Sequence, residues 1–128
     1  MTHRSKQKMF VYVAGPMTTE RSYQWVQNCL APAELVYKLK LAGAAVYCPL
    51  FEGLLYQHDI PYDIAIEECS AWLSLCDAIC FPRGWSESKG CCYEYKYALQ
   101  NGVQVYTEDN IDELFEELER IRGANDNR

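Results

Sequence analysis

Phe10-Val-Tyr-Val-Ala14, stopped at once by Gly15-Pro16, is a continuous apolar run with no polar side to show to water. A half-exposed strand alternates apolar and polar residues, whereas a strand covered on both faces does not. The stretch therefore reads as a buried strand, and the neighbouring patterns follow from it. Ala45-Val-Tyr-Cys48 ends at Pro49, Ala78-Ile-Cys-Phe81 runs into Pro82-Arg83-Gly84-Trp85, and Val103-Gln-Val-Tyr106 makes a fourth short strand. Helical patterns separate them. The first runs from about Glu20 to Ala42, with Leu35, Val36 and Leu39 on one face and Gly43 as its stop; Pro32 inside it predicts a kink or a split. Pro61 suits the first turn of a second helix that carries Ala65, Cys69, Trp72, Leu73 and Cys76 on one face. Ser88 is placed to cap a third helix ending before Gly102. Ile111, Leu114, Phe115, Leu118 and Ile121 form the apolar stripe of a fourth, whose other face is acidic and solvated.

Strands alternating with helices of this length imply a parallel sheet of four to five strands with helices on both faces, a doubly wound α/β sandwich. Ligands in such folds sit at the carboxyl ends of the strands. That rule selects Gly15-Pro16-Met17-Thr18 after the first strand and Pro82 to Ser88 after the third. Residues 9–122 read as one domain, between a flexible basic tail at 1–8 and a polar, frayed tail from 123.

Composition narrows the function. The 128 residues carry a formal charge of −6, and because Arg4, Lys6 and Lys8 lie in the tail, the rest is more acidic still. Such a body repels phosphate backbones, which argues against a long nucleic acid as partner and leaves room for one phosphate at a local site. No apolar run approaches the ~20 residues of a membrane span, and no signal-peptide pattern precedes the first strand, so a cytoplasmic protein without a membrane partner is expected. The 7 cysteines are odd in number, lie inside predicted elements and show neither C-x-x-C nor zinc spacing, so reduced thiols and no metal are expected.

The motif inventory is short. There is no G-x-x-x-x-G-K-[ST], no G-x-G-x-x-G after the first strand and no G-x-S-x-G. His3 lies in the tail and His58 in a loop, so a histidine triad has little support. Glu94 stands out. Gly90 and Ala98 lie four residues to either side of it on the stripe of small residues that should face the sheet. Carboxylates are seldom buried there without a purpose, although a partly exposed glutamate helped by Lys96 would also satisfy the pattern. Tyr12 near the end of the first strand reads equally as core or as site. Trp85, in a loop, offers a stacking surface for a flat ligand. Arg83 and the amides at Ser88-Lys89-Gly90 suit an anion at a helix N-terminus.

Three segments together resemble the nucleoside 2-deoxyribosyltransferase superfamily: Val11-Tyr-Val-Ala-Gly-Pro-Met17, Leu75-Cys-Asp-Ala-Ile79, and Gly84-Trp-Ser-Glu-Ser-Lys-Gly-Cys-Cys-Tyr-Glu94 continuing through Ala98 and Gly102. The likeness covers most of residues 9–107. It is greatest to the small bacterial and phage branch with a GW-x-x-S-x-G-x-x-x-E segment, related to nucleotide N-glycosidases. The resemblance implies a flavodoxin-like homodimer, without cofactor, that breaks or exchanges the N-glycosidic bond of a nucleoside or nucleoside 5′-monophosphate. It implies Glu94 as nucleophile, with Tyr12 beside it and within hydrogen-bond reach. Gly15, Pro16 and Met17 match the loop where the ligand meets the backbone, and Ser88 matches a phosphate-contacting serine. At the place where the resemblance implies an aspartate that assists base departure, this chain has Cys69. A nucleophile must be ionised, so the Tyr12 hydroxyl and the helix N-terminus are expected to hold Glu94 at a low pKa. The alternative to an enzyme is a nucleotide-derivative binding protein that kept the fold.

Overall fold

The apolar runs become strands because their side chains on both faces find helices to cover them. The computed structural model describes residues 7–15, 23–49 and 61–126. Along them run β1 (Phe10–Val13), α1 (Tyr23–Leu41), β2 (Ala45–Tyr47), α2 (Tyr62–Ser74), β3 (Ala78–Cys80), α3 (Lys89–Asn101), β4 (Gln104–Tyr106) and α4 (Ile111–Asp126). The strands pair in parallel in the order β2-β1-β3-β4, so the sheet has four strands among the described residues. This is a flavodoxin-like α/β sandwich, with β1 and β3 as neighbouring central strands. No helix among the described residues is long and apolar enough to cross a membrane.

The twofold alternation of a strand assigns each side chain to a layer. Val11 and Val13, with Ala78 and Cys80, face Val36 and Leu39 of α1 and Leu114 and Leu118 of α4. Tyr12 and Ala14, with Ile79 and Phe81, face Cys69 and Leu73 of α2 and Cys91 and Ala98 of α3. Each fully buried aliphatic side chain contributes about 1.5–3 kcal/mol. Gly102, at φ 71, turns the chain out of α3 in the left-handed conformation that side chains disfavour, and its amide donates to the Ala98 carbonyl.

Three expectations need correction. Of the kink or split expected at Pro32, the split is absent, and α1 continues as one helix through it; its buried ring offsets the hydrogen bond that it cannot donate to residue 28. The chain does not fray from 123, because α4 continues to Asp126. The Asn125 side chain accepts from the Gln7 amide at 3.1 Å and donates to the Gln7 carbonyl at 3.0 Å. Nor is the basic segment free up to residue 8, since the Lys8 ammonium donates to the Gly43 carbonyl at 3.0 Å. Residues 1–6, the 16–18 part of the first-strand loop, the expected start of the first helix at 20–22 and the 51–59 loop lie outside the described residues.

Asp77 closes the lower end of the central strand pair. Its carboxylate accepts from the Phe10 amide at 2.7 Å, while its own amide donates to the Phe10 carbonyl at 2.8 Å. Removing the acceptor at this exposed position should lower unfolding free energy by about 1 kcal/mol. Urea denaturation of Asp77→Ala should show that loss, and Asp77→Asn, which keeps an acceptor oxygen, should lose less. An Asp77→Ala midpoint equal to wild type would show that the latch does not hold β1.

A buried glutamate at the carboxyl end of the sheet

The parallel order leaves β1 and β3 side by side where the connections diverge to opposite layers, the position at which open α/β sheets hold ligands. Tyr12 is the third residue of the four-residue β1 and points into the α2–α3 layer. After β3 the chain turns at Gly84, whose φ of 82 is left-handed, passes through a 3-10 turn at Trp85–Glu87 and enters α3. Ser88 is the N-cap, its hydroxyl accepting from the Cys91 amide at 3.3 Å. That cap sets the phase of α3, and the buried stripe is Gly90, Cys91, Glu94 and Ala98.

Glu94 is thus sheet-facing, with only 2% of its surface exposed. Tyr12 is fully buried and Cys69 is 4% exposed. These three side chains interact. Burial pushes the Tyr12 hydroxyl well above its usual pKa, and the adjacent Glu94 and Cys69 push it further. The Tyr12 hydroxyl lies near enough to the Glu94 carboxylate to favour its ionised form. Even so, neither it nor either carboxylate oxygen makes a well-formed hydrogen bond among the described residues.

The balance of these effects corrects the expected low pKa. Desolvation dominates and raises Glu94 from 4.5 to about 7, with Tyr12 pulling back only part of the way. The helix N-terminus gives little help because its field fades beyond the first turn, and Glu94 is the sixth residue of α3. At neutral pH the group is poised between acid and carboxylate, which is the condition that proton transfer exploits.

The remaining candidates fall elsewhere. Gly15 is buried at the end of β1, whereas Pro16 and Met17 lie outside the described residues. Arg83 is exposed and donates to Glu108 at 3.2 Å, so it is paired toward the loop after β4. Trp85 is half-buried with its ring packed by its own chain, tilted on Phe81 at 4.8 Å and stacked on Tyr95 at 4.9 Å. Arg83 and Trp85 line a cleft of about 230 Å³ at the ends of β3 and β4, together with Phe81, Pro82, Thr107 and Glu108. Tyr12, Cys69 and Glu94 are not part of its lining.

One contact escaped the sequence. Tyr47 of β2 lies 5.6 Å from the Tyr12 ring and stacks on Trp72 at 4.8 Å. The parallel register places Tyr47 directly beside Tyr12, a signal readable only once the strand order is known. Trp72, read from periodicity as part of the inner face of α2, is 44% exposed and closes the outer end of this aromatic row.

A family model described as "Domain of unknown function (DUF4406)" matches residues 9–107, and the chain belongs to that family. No curated protein and no solved structure matches it.

The raised Glu94 pKa has a signed consequence for stability. The folded chain holds this proton more tightly than the unfolded chain, so stability falls as pH rises from about 4.5 to about 7 and levels off above. At about 1.4 kcal/mol per pH unit this amounts to on the order of 3 kcal/mol. Glu94→Gln stays neutral, so urea unfolding should show its stability advantage over wild type opening across that range. A difference that does not vary with pH would assign the proton to another group.

Proposed function

We propose that this DUF4406 domain is an enzyme that cleaves or exchanges the N-glycosidic bond of a (deoxy)nucleoside or nucleoside 5′-monophosphate, with Glu94 as nucleophile. The observation that carries the reading is the trio of buried polar atoms, both Glu94 oxygens and the Tyr12 hydroxyl, with no hydrogen-bond partner among the described residues. Such atoms cost about 1–3 kcal/mol each in a core, and native cores rarely keep them. Their place at the carboxyl end of β1 and β3 gives them a use, since a ligand there would supply the missing partners.

In this reaction an ionised Glu94 oxygen attacks the anomeric carbon as the base departs, forming a glycosyl ester that water or a second base then opens. Tyr12 orients the carboxylate. Gly15, Pro16 and Met17 are the residues that contact the ligand in this reading, and Ser88 and Gly90 at the start of α3 take a 5′-phosphate, with Arg83 and Trp85 at the rim. A second copy of the chain completes the site. Exposed Tyr37, Trp72 and Tyr93 are available for such a contact, and light scattering at micromolar concentration should then report a dimer.

A second reading, a nucleotide-derivative binding protein with impaired chemistry, is favoured by Cys69. A thiol in contact with Tyr12 is a poorer proton donor to a departing base than a carboxylic acid. Base release from a panel of nucleosides and monophosphates, followed by chromatography, separates the two. For the enzyme, kcat/KM should rise about tenfold per pH unit below 7 and flatten above it, because only ionised Glu94 attacks. Glu94→Gln should lose about a thousandfold or more. Ligand-induced thermal stabilisation without any base release would establish the binding protein instead.

A further inference from the structure

The Glu94 carboxylate is buried without a counter-cation among the described residues. The ion pairs found there are Lys38–Glu34, Arg83–Glu108 and Arg120–Glu117, all at the surface. Glu94 is the one buried charged side chain among the described residues, and neither of its oxygens makes a well-formed hydrogen bond there, the Tyr12 hydroxyl being the neighbouring donor. Its surroundings are the phenol of Tyr12 and the thiol of Cys91, with Cys69 also against Tyr12. Tyr12 continues through ring contacts to Tyr47 and Trp72. A desolvated carboxylate is stabilised above all by a positive charge, and aromatic faces attract flat cations. The same neighbours bear on leaving-group chemistry. Glycoside cleavage ordinarily uses one carboxyl group to attack and a second to protonate the leaving group. Among the described residues the groups that act on Glu94 are the Tyr12 phenol and the Cys91 thiol, both pushed up by burial and so protonated at neutral pH.

We propose that this site takes N-glycosides whose base carries a fixed positive charge, an N-alkylpurinium or pyridinium nucleoside or its 5′-monophosphate. The inference rests on the glycosidic reading above and adds the class of base. The positive charge stabilises the ionised form of Glu94, so the substrate itself draws out the nucleophile. It also removes the need for an acid. A Glu94 oxygen forms a bond to the anomeric carbon while the bond to the base nitrogen breaks, its electron pair goes to that nitrogen, and the base leaves neutral. Water then attacks the anomeric carbon, the ester C–O bond breaks toward Glu94, and one proton is released to solvent.

The test compares 7-methylguanosine with guanosine, each as nucleoside and 5′-monophosphate, below the pH at which the methylated base loses its N1 proton, where the pair differs by one methyl group and one charge. Calorimetry on wild type should show the charged partner bound about tenfold tighter or more, and Glu94→Gln should lose that preference. Chromatography against an enzyme-free blank should show base released from the charged partner and at least about a hundredfold more slowly from the neutral one. Equal binding of the two by wild type, or a preference that survives in Glu94→Gln, overturns the proposal. Equal release from both overturns it too, while leaving the glycosidic reading intact. A charge preference in binding with no release, extended to a pyridinium mononucleotide, overturns the glycosidic reading and leaves the cation selectivity standing. If neither partner binds at millimolar concentration, both readings fall.

Discussion

Successive side chains of a strand leave its two faces, so pairing β1 between β2 and β3 decides where everything else goes. Val11 and Val13 are sent against α1 and α4, and Tyr12 is sent against α2 and α3. A shift of one residue would exchange the two sets and move the phenol out of the layer that holds Glu94. The Asp77 latch to Phe10 helps to fix that register. What looks like a property of the site, the meeting of a tyrosine, a glutamate and a thiol, is thus a property of strand pairing first.

The second constraint comes from α3. Ser88 caps it, and the cap fixes which residues of the helix face the sheet. Gly90, Cys91 and Ala98 are small enough to bring the helix close, and the same rotation carries Glu94 inward. Close approach excludes water from the carboxylate, and exclusion of water lifts its pKa to about 7. Packing and acidity are therefore one arrangement seen at two scales.

Much of this was legible because it rests on periodicity. Continuous apolar runs identified the strands, and the small-residue stripe around Glu94 identified an acid facing the core. The direction of its pKa was not legible. Judging it required the depth of burial and the fact that Tyr12 approaches without a well-formed hydrogen bond. Of the kink or split that Pro32 predicts, the split does not occur, because burial of the ring keeps the helix whole. The end of α4 carries a side chain, Asn125, that pairs with backbone 118 residues away, which no local pattern encodes. Tyr47 was hidden for the same reason: its role exists only between strands that are distant in sequence.

The aromatic row also gives the molecule an optical property. Trp72 stacks on Tyr47, which lies against Tyr12, which neighbours Glu94. An indole at the surface is in this way wired by ring contacts to a charge in the interior. Its emission should respond to the ionisation of Glu94. The protein carries its own fluorophore for following ligands that have no colour of their own.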